Sequence, residues 1–284
     1  MKTRNKSCKF LLAIISILFT FSAKTQTNLI WGKQLGTDKS EYVMNHVVDS
    51  SGNIYICGKT TGNLEGTNKG QNDLFITKID PRGKTIWTRQ LGSKGDEDEQ
   101  WSAIDNSGCV YITGSTTGDL AGTNFGKEDI FIVKYNPDGK LLWNRQFGTD
   151  STDIGKGIYV DNKGYIWVTG TTAGKLGETA FGKMDGFLMK LDSKGNQLFV
   201  EQFGTVADEV SNAITGDNNS NIYVCGTTWG ELGAKNKGLL DAFTAQFTNQ
   251  GKLVKFNQFG TDSYDIPMAI MVDNEKNIYV GGTT

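Results

Sequence analysis

The sequence predicts an all-β fold in which one four-stranded antiparallel unit recurs along the chain. The first observation behind this prediction is a period of 56 residues. An unbroken glutamine column marks it: Gln34, Gln90, Gln146, Gln202 and Gln258. The second is the pattern inside each period, where short β-branched and aromatic runs alternate with turn signals. No window places apolar residues at helical spacing over three turns, so we expect no helix in the repeats.

The second repeat shows the predicted elements in order. They are a strand ending at residue 105, a turn at 106–108, a strand at 109–114, a polar glycine-rich loop at 115–128, a strand at 129–135, a turn at 136–139 and a strand at 140–148. The second turn reads Asn-Pro-Asp-Gly, with proline and glycine at the positions that a type I turn prefers. Because two of the three connections are tight, the unit is an antiparallel meander.

Meanders of this size, repeated without slippage, are typical of a β-propeller, in which each meander is one blade. A β-solenoid is the alternative, but its coils recur at shorter periods and need no internal hairpins. Constant aromatic columns are expected to pack between adjacent blades. They are Trp31, Trp87, Trp143 and Phe199 on the last strand, Phe75, Phe131, Phe187 and Phe243 on the third, and Tyr55, Tyr111, Trp167, Tyr223 and Tyr279 on the second.

The repeats do not add up to a closed ring. Counted from the aromatic residue of the last strand, the units lie near residues 31–86, 87–142, 143–198 and 199–254, with a partial unit at 255–284. We expect a lone fourth strand at 28–35, then four full blades and a half blade, as in a truncated or incomplete ring. A five-bladed ring closed on a defective blade is the alternative. Open blade edges would promote self-association.

The first 26 residues predict a secretory signal peptide. Basic residues precede an apolar run at 10–21, and a small, polar stretch follows at 22–26. The run is shorter than the roughly 20 residues that span a bilayer, so we expect no stable membrane insertion after cleavage. A membrane anchor is the alternative. Cys8 lies before the apolar run and cannot be a lipoprotein cysteine. We therefore expect residues 27–284 to be secreted, periplasmic or displayed at the cell surface.

Composition argues against several classes of function. The net charge is −2 and no basic stripe occurs, so nucleic acid is not an expected partner. His46 is the only histidine, which excludes multi-histidine metal sites and argues against a Ser-His-Asp triad. Glycine-rich segments recur in every repeat and open no helix, unlike a phosphate-binding loop. Cys57 and Cys225 lie three repeats apart, so we expect free thiols without a catalytic role.

Three motifs of the first repeat resemble a known family. They are Val-Asp-Ser-Ser-Gly-Asn-Ile-Tyr-Ile-Cys-Gly at 48–58, Thr-Thr-Gly-Asn-Leu-Glu-Gly at 60–66 and Asp-Leu-Phe-Ile-Thr-Lys-Ile-Asp at 73–80. They are similar to the bacterial β-propeller repeat family SBBP of secreted and cell-surface proteins, from about residue 29 to the end. The resemblance implies a propeller and an extracytoplasmic setting, and it brings no catalytic residues. Two later repeats lose the turn glycine, in Asp-Asn-Asn-Ser at 217–220 and Asp-Asn-Glu-Lys at 273–276.

Antiparallel order places the tight hairpins on one face and the long connections on the other, which we call the loop face. One acidic column lies between blades on that face: Glu41, Glu97, Asp153, Glu209 and Asp265. These residues are weak candidates for Ca²⁺ or a cationic ligand. We favour the alternative that each carboxylate fixes its own loop, because the column recurs in every blade. The same loop-capping role is expected for a second column, Asp73, Asp129, Asp185 and Asp241.

Departures from the repeat are the candidates for specificity. Four adjacent acids favour local cation binding: Asp96, Glu97, Asp98 and Glu99. Aromatic residues beside small polar groups suit sugar or peptide binding, with added core packing as the alternative: Trp101, Phe125, Phe181 and Trp229.

These features predict an exported, non-catalytic scaffold that binds a glycan, a peptide or a surface partner through the loop face. The alternative is a carbohydrate-active enzyme, a hydrolase or lyase, that uses the acidic residues of that face. We expect an extracellular glycan or protein as the partner and no cofactor, unless the acidic residues bind Ca²⁺.

Overall fold

The computed structural model describes residues 31–284, so the predicted signal peptide over residues 1–26 lies outside the described residues. The strands of the first two blades are β1 (Glu41–Val48), β2 (Ile54–Thr60), β3 (Asp73–Ile79), β4 (Thr85–Leu91), β5 (Glu97–Ile104), β6 (Val110–Thr116), β7 (Asp129–Tyr135) and β8 (Leu141–Phe147). Those of the next two are β9 (Asp153–Val160), β10 (Ile166–Thr172), β11 (Asp185–Leu191), β12 (Gln197–Phe203), β13 (Glu209–Gly216), β14 (Ile222–Thr228), β15 (Asp241–Phe247) and β16 (Leu253–Phe259). The last two strands are β17 (Ile266–Val272) and β18 (Ile278–Thr283).

These strands form five antiparallel sheets that follow the order of the chain. Blades 1 to 4 hold four strands each, β1–β4, β5–β8, β9–β12 and β13–β16, and a half-blade holds β17 and β18. The first strand of each blade contacts the first strand of the next, so these strands are the innermost of the array. The all-β, propeller-like fold with four full blades and a half-blade is confirmed.

The predicted strand at 28–35 is wrong for the residues that can be judged. Residues 31–37 are not in a strand, and 28–30 lie outside the described residues. A fourth strand needs a third strand as its partner. In blade 1 the outer edge of β3 is already paired with β4, and no third strand follows β18 in the described residues. Residues 31–35 therefore have no unpaired third strand beside which they could form a fourth strand in the described blades.

Each first hairpin is closed by an aspartate turn. In blade 1 the Gly52 N–H donates to the Asp49 carbonyl at 2.9 Å, and the Asp49 carboxylate accepts from two further backbone N–H groups. Gly52 has φ +78°, a left-handed conformation that glycine adopts without steric cost. The equivalent Ser220 and Lys276 also have positive φ, 64° and 69°. The turn therefore keeps its shape where the glycine is lost, at the expense of backbone strain.

The core lies between neighbouring blades. Between blades 1 and 2, buried residues of β2 and β3 such as Tyr55 and Leu74 pack against Val110 and Phe131. The predicted aromatic columns belong to these layers, and Tyr55 meets Trp87 edge-on with 5.9 Å between ring centroids. Tyr279 is the exception: it is 52 % exposed, whereas its counterparts in blades 1 to 4 are buried.

The described part of the chain contains no helix of the length and apolarity that a membrane crossing requires. Three free thiols agree with the expectation from the cysteine spacing. Cys57 and Cys225 are buried and Cys109 is half-buried. Burial raises the pKa of Cys57 and of Cys225 to about 12, which makes both poor nucleophiles.

Candidate functional site

The glutamine column that marks the repeat holds the long loop of each blade. In blade 2 the Gln146 amide nitrogen donates to the Gly118 carbonyl at 3.0 Å and to Asp129 at 2.8 Å. Its amide oxygen accepts from the Leu120 N–H at 3.1 Å. The same bonds to loop and aspartate recur in the other full blades, at Gln90, Gln202 and Gln258. In the sequence the glutamine column only marks the period of the repeat. Its role in holding the loop, which we call the glutamine clamp, is visible only in the structure.

The second acidic column fixes the loops, as expected. Asp129 accepts from Gln146 and from the Phe125 N–H at 2.8 Å, which ties the loop to β7. The glycine that ends the Gln-x-Gly motif has a separate reason to be invariant. A Cβ at Gly148 would overlap the Asp129 carboxylate, so only glycine lets the backbone pass this group.

The carboxylates of the first acidic column also accept hydrogen bonds from neighbouring residues of the fold. The Glu97 side chain is fully buried and accepts from the Ser93 N–H at 3.0 Å, the Ser93 hydroxyl at 2.6 Å and the Thr116 hydroxyl at 2.8 Å. Equivalent bonds reach the other four members, Glu41, Asp153, Glu209 and Asp265. The loop-fixing role that we favoured agrees with these contacts. No cluster of three or more His, Cys, Asp or Glu that could hold a metal ion occurs among residues 31–284. Ca²⁺ binding by this column stays a prediction.

Burial affects the charges in this column unequally. Burial raises the pKa of Glu97 and of Glu209, and the hydrogen bonds to their carboxylates offset it only in part. Burial also raises the pKa of Glu41, but bonds from Thr37 and Thr60 outweigh it, so that pKa lies below its usual range.

The four adjacent acids do not converge on one point. Asp96 accepts from the backbone N–H and the side-chain amide of Asn72, at 3.0 and 2.6 Å, and caps that loop. Asp98 forms an ion pair with Lys59 of blade 1 at 2.5 Å. Glu99 forms one with Lys156 of blade 3 at 3.4 Å. Asp96 and Glu97 therefore fix loops. Asp98 and Glu99 are neutralised by lysines of neighbouring blades.

The last two carboxylates reach different blades because Asp98 and Glu99 are consecutive residues of β5. Successive side chains of a strand point to opposite faces of its sheet. β5 also contains a β-bulge. Every first strand has one register shift, and in β5 two residues, Glu99 and Gln100, lie between the paired positions Asp98 and Trp101. Glu99 has φ +57°.

The four candidate aromatic residues separate into two groups. Trp101 lies in β5, is half-buried and packs against the core between blades 2 and 3. Phe125, Phe181 and Trp229 are exposed in the long connections of the loop face. The sequence left both roles open, and core packing applies to Trp101 alone.

Phe181 and Trp229 flank the same boundary, between blades 3 and 4. Gly182, next to Phe181, approaches the Thr205 carbonyl so closely that an added Cβ would lie 2.5 Å from it. The backbone N–H of Trp229 donates to the Asp208 carbonyl at 3.0 Å. Both residues thus border the segment 205–208, which carries Val206, 90 % exposed. We call Phe181, Val206 and Trp229 the aromatic junction; Phe181 and Trp229 are each 45 % exposed. The sequence analysis did not select Val206, although the other members of its column are all charged: Asp38, Lys94, Asp150 and Asp262.

Comparison with known proteins gives distant relatives in sequence. Regulatory protein FlaEY of Caulobacter vibrioides is 25 % identical over 251 residues, which cover 77 % of this chain and 25 % of FlaEY. The uncharacterized WD repeat-containing protein L264 of Acanthamoeba polyphaga mimivirus is 22 % identical, covering 53 % of this chain and 14 % of that protein. This chain thus spans at most a quarter of the length of these relatives.

Two solved structures show the same fold. A protein of unknown function from Dyadobacter fermentans superimposes with a TM-score of 0.51 at 12 % identity, covering 83 % of this chain and 72 % of that one. The Hadza microbial sialidase Hz136 has a TM-score of 0.52 at 8 % identity, covering 78 % of this chain and 46 % of the sialidase. At these identities the likeness concerns the fold alone.

The family comparison agrees with the repeat motifs. Residues 30–65, 142–178 and 198–233 each match the SBBP family, described as a beta-propeller repeat. The second and third segments begin in β8 and β12, the last strands of blades 2 and 3, and all three segments end in the long loop of a blade. Three repeats of this chain therefore belong to the SBBP beta-propeller repeat family.

Proposed function

We propose that this protein is an exported, non-catalytic scaffold that binds a glycan, a peptide or a surface partner through its loop face. The aromatic junction carries the proposal. Phe181, Val206 and Trp229 expose apolar surface around one blade boundary, on loops that the glutamine clamps hold in place. Rigid exposed aromatic side chains bind sugar rings and peptide side chains at a low cost in conformational entropy.

The acidic columns support binding rather than catalysis. A glycosidase needs two carboxyl groups that both face the scissile bond. Glu97 has a pKa raised by burial, as a general acid often has, but its side chain has no exposed surface with which to reach a substrate. Asp98 is paired with Lys59. Glu97 is thus buried and Asp98 is ion-paired, so neither carboxyl group faces the position of a substrate.

Export is the part of the proposal that rests on sequence. The basic, apolar and small-residue segments of positions 1–26 are those of a signal peptide, and the related repeats suggest the same setting. A fusion of residues 1–30 to a reporter enzyme would test this part, and retention of the reporter in the cytoplasm would contradict it.

Binding by the aromatic junction is tested on glycan and peptide arrays. We expect Trp229→Ala and Phe181→Ala each to weaken the best ligand about tenfold or more, because central aromatic anchors dominate such contacts. Phe125→Ala is the matched control, since Phe125 is also an exposed loop aromatic, 58 % exposed, and lies at the boundary of blades 2 and 3. Equal losses in all three variants, or no ligand on either array, would contradict the proposal. Hydrolysis of a bound glycan that Asp98→Asn abolishes would support the enzyme instead.

A further inference from the structure

The boundary between blades 1 and 2 contains a groove on the loop face with a volume of about 670 Å³. Its lining residues are Lys69, Ser93, Lys94, Gly95, Thr117, Gly118, Asp119 and Asn124. This volume lies within the range of small-molecule sites. No aromatic or large aliphatic side chain lines the groove, in contrast to the aromatic junction. We call it the basic groove.

Two glycines keep its floor open. A Cβ at Gly95 would lie 2.5 Å from the Gly118 nitrogen, and one at Gly118 would overlap the Ser93 hydroxyl. The two loops therefore approach so closely at Gly95 and Gly118 that neither position has room for a side chain of its own. Position 95 is glycine at this boundary alone; the later repeats have Ser151, Ala207 and Ser263 there.

The charges of the basic groove are only partly compensated. Lys69 and Lys94 have no carboxylate of the described residues within 4.0 Å of their ammonium groups. Asp119 is the one acidic residue of the lining, and one of its oxygens accepts from the Asn124 N–H at 2.7 Å. The groove thus presents two ammonium groups and one carboxylate.

Lys94 is a departure from the repeat. The same position holds Asp150, Val206 and Asp262 at the later boundaries. Positions 69, 94 and 117 of the basic groove correspond, two repeats later, to Phe181, Val206 and Trp229 of the aromatic junction. The same three loop positions therefore border a blade boundary twice, once as a charged groove and once as an apolar surface.

We propose that the basic groove binds the carboxylate-bearing sugar of an acidic oligosaccharide. Two ammonium groups suit one carboxylate, while Asp119 and the Thr117 hydroxyl suit the neighbouring sugar hydroxyls. A polyanion without hydroxyl groups would meet Asp119 as a repulsive charge. This inference names the ligand class for the loop face and rests on the proposed function only in that the face binds a partner.

The test is an array that carries oligogalacturonate, oligoalginate and sialyllactose beside their methyl esters, together with polyglutamate. We expect binding of at least one acidic oligosaccharide, with the neutral ester about tenfold weaker, because charge-assisted hydrogen bonds are lost. Titration of the best ligand should show an affinity about tenfold lower in Lys94→Asp and in Lys69→Ala. Added salt should weaken binding by the unaltered protein.

The variants are chosen so that folding does not decide the result. Lys94→Asp introduces the residue that the chain itself carries at positions 150 and 262. Lys140→Ala is the matched control: it removes an exposed lysine from a tight turn on the opposite face and should leave affinity unchanged. Thermal unfolding of each variant verifies the fold.

Three results would overturn the inference: equal binding of acids and esters, equal binding of polyglutamate, or an affinity that Lys94→Asp does not change. Binding that depends on Trp229 but not on Lys94 would refute the basic groove and leave the proposed function standing. Absence of any ligand would refute both.

Discussion

The amide of Gln146 donates and accepts at once, and this explains why one residue type recurs at this position. Its nitrogen satisfies a loop carbonyl and the Asp129 carboxylate, while its oxygen satisfies loop N–H groups. A glutamate has the same shape but no donor. It would also bring a second negative charge against a buried carboxylate.

We therefore expect Gln146→Glu to lower the free energy of unfolding by about 3 kcal/mol near neutral pH. Chemical denaturation measures the loss. The double variant Gln146→Glu with Asp129→Asn should recover part of it, because the asparagine amide donates where the carboxylate repelled. A Gln146→Glu protein as stable as the unaltered one would show that the hydrogen bonds of Gln146 do not contribute to the stability of blade 2.

Two kinds of residue differed in how far sequence could place them. An aspartate recurs at the position of Asp129 in every full blade, and a carboxylate recurs at the position of Glu97 in every copy. A structural role could therefore be predicted from each column alone. The ion pairs of Asp98 and Glu99 could not, because their partners, Lys59 and Lys156, lie in other blades. Spacing within one repeat does not show which side chains of neighbouring blades meet.

Among the elements, the first hairpin of each blade depends on one aspartate. Asp105 accepts from the Ser107 and Cys109 N–H groups at 2.9 Å each and from the Tyr111 hydroxyl at 2.9 Å. Burial raises the pKa of Asp105, but these bonds and one from the Ser107 hydroxyl outweigh it, so the pKa lies below its usual range. The charged form is therefore the one that stabilises the hairpin.

The sign of the pH dependence follows. A carboxyl group with a lowered pKa in the folded state contributes stability above its unfolded pKa, and this is lost as the pH falls through the folded pKa. We expect Asp105→Ala to cost about 2 kcal/mol near pH 7. The cost should shrink as the pH falls through the folded pKa of Asp105, which lies below the usual range of an aspartate. Denaturation at several pH values measures this difference. A cost independent of pH would contradict it.

The two hairpins without the turn glycine offer a second test. Ser220 and Lys276 have positive φ, which a side chain makes costly. We expect Ser220→Gly to stabilise the protein by about 0.5–1 kcal/mol. The reciprocal Gly108→Ser should destabilise it by a similar amount, because Gly108 has φ +79° in the equivalent turn. Thermal unfolding midpoints compare the two. A Ser220→Gly variant that melts earlier would argue against the strain.

For the whole molecule, the open end of the blade array is the feature with the largest consequence for behaviour in solution. Tyr279 and Met271 are paired across β17 and β18 and are exposed, whereas Tyr55, Tyr111 and Tyr223 are buried between blades. The outer edge of β18 has no paired strand in the described residues. Exposed apolar columns and strand edges favour association.

We therefore expect the 284-residue chain to elute as oligomers in size-exclusion chromatography, and the double variant Met271→Lys, Tyr279→Lys to shift toward monomer. Ile86→Lys on β4 is the control, because it changes an exposed apolar residue of an outer strand without touching the half-blade. A cooperative monomer at all concentrations would rule out association through this face.

At this scale the sequence predicted the fold almost completely, because a fixed period states the number of blades and their order. The candidate site was predicted only in part. Phe181 and Trp229 belong to successive repeats, and only folding brings both to the segment around Val206. Lys69 and Lys94 could not be predicted for the same reason. A site at a blade boundary brings together positions from two different loops, and their proximity is not visible within one repeat.

The packing of each blade on its immediate neighbours has a consequence for how the backbone opens to solvent. In a repeat array, stability is a sum of local contributions, so opening begins where a neighbour is absent. In heavy water the amide hydrogens of β17 and β18 should exchange first, and those of blades 2 and 3, which each have a full blade on either side, should exchange last. The order of exchange would thus read out the position of each blade in the array.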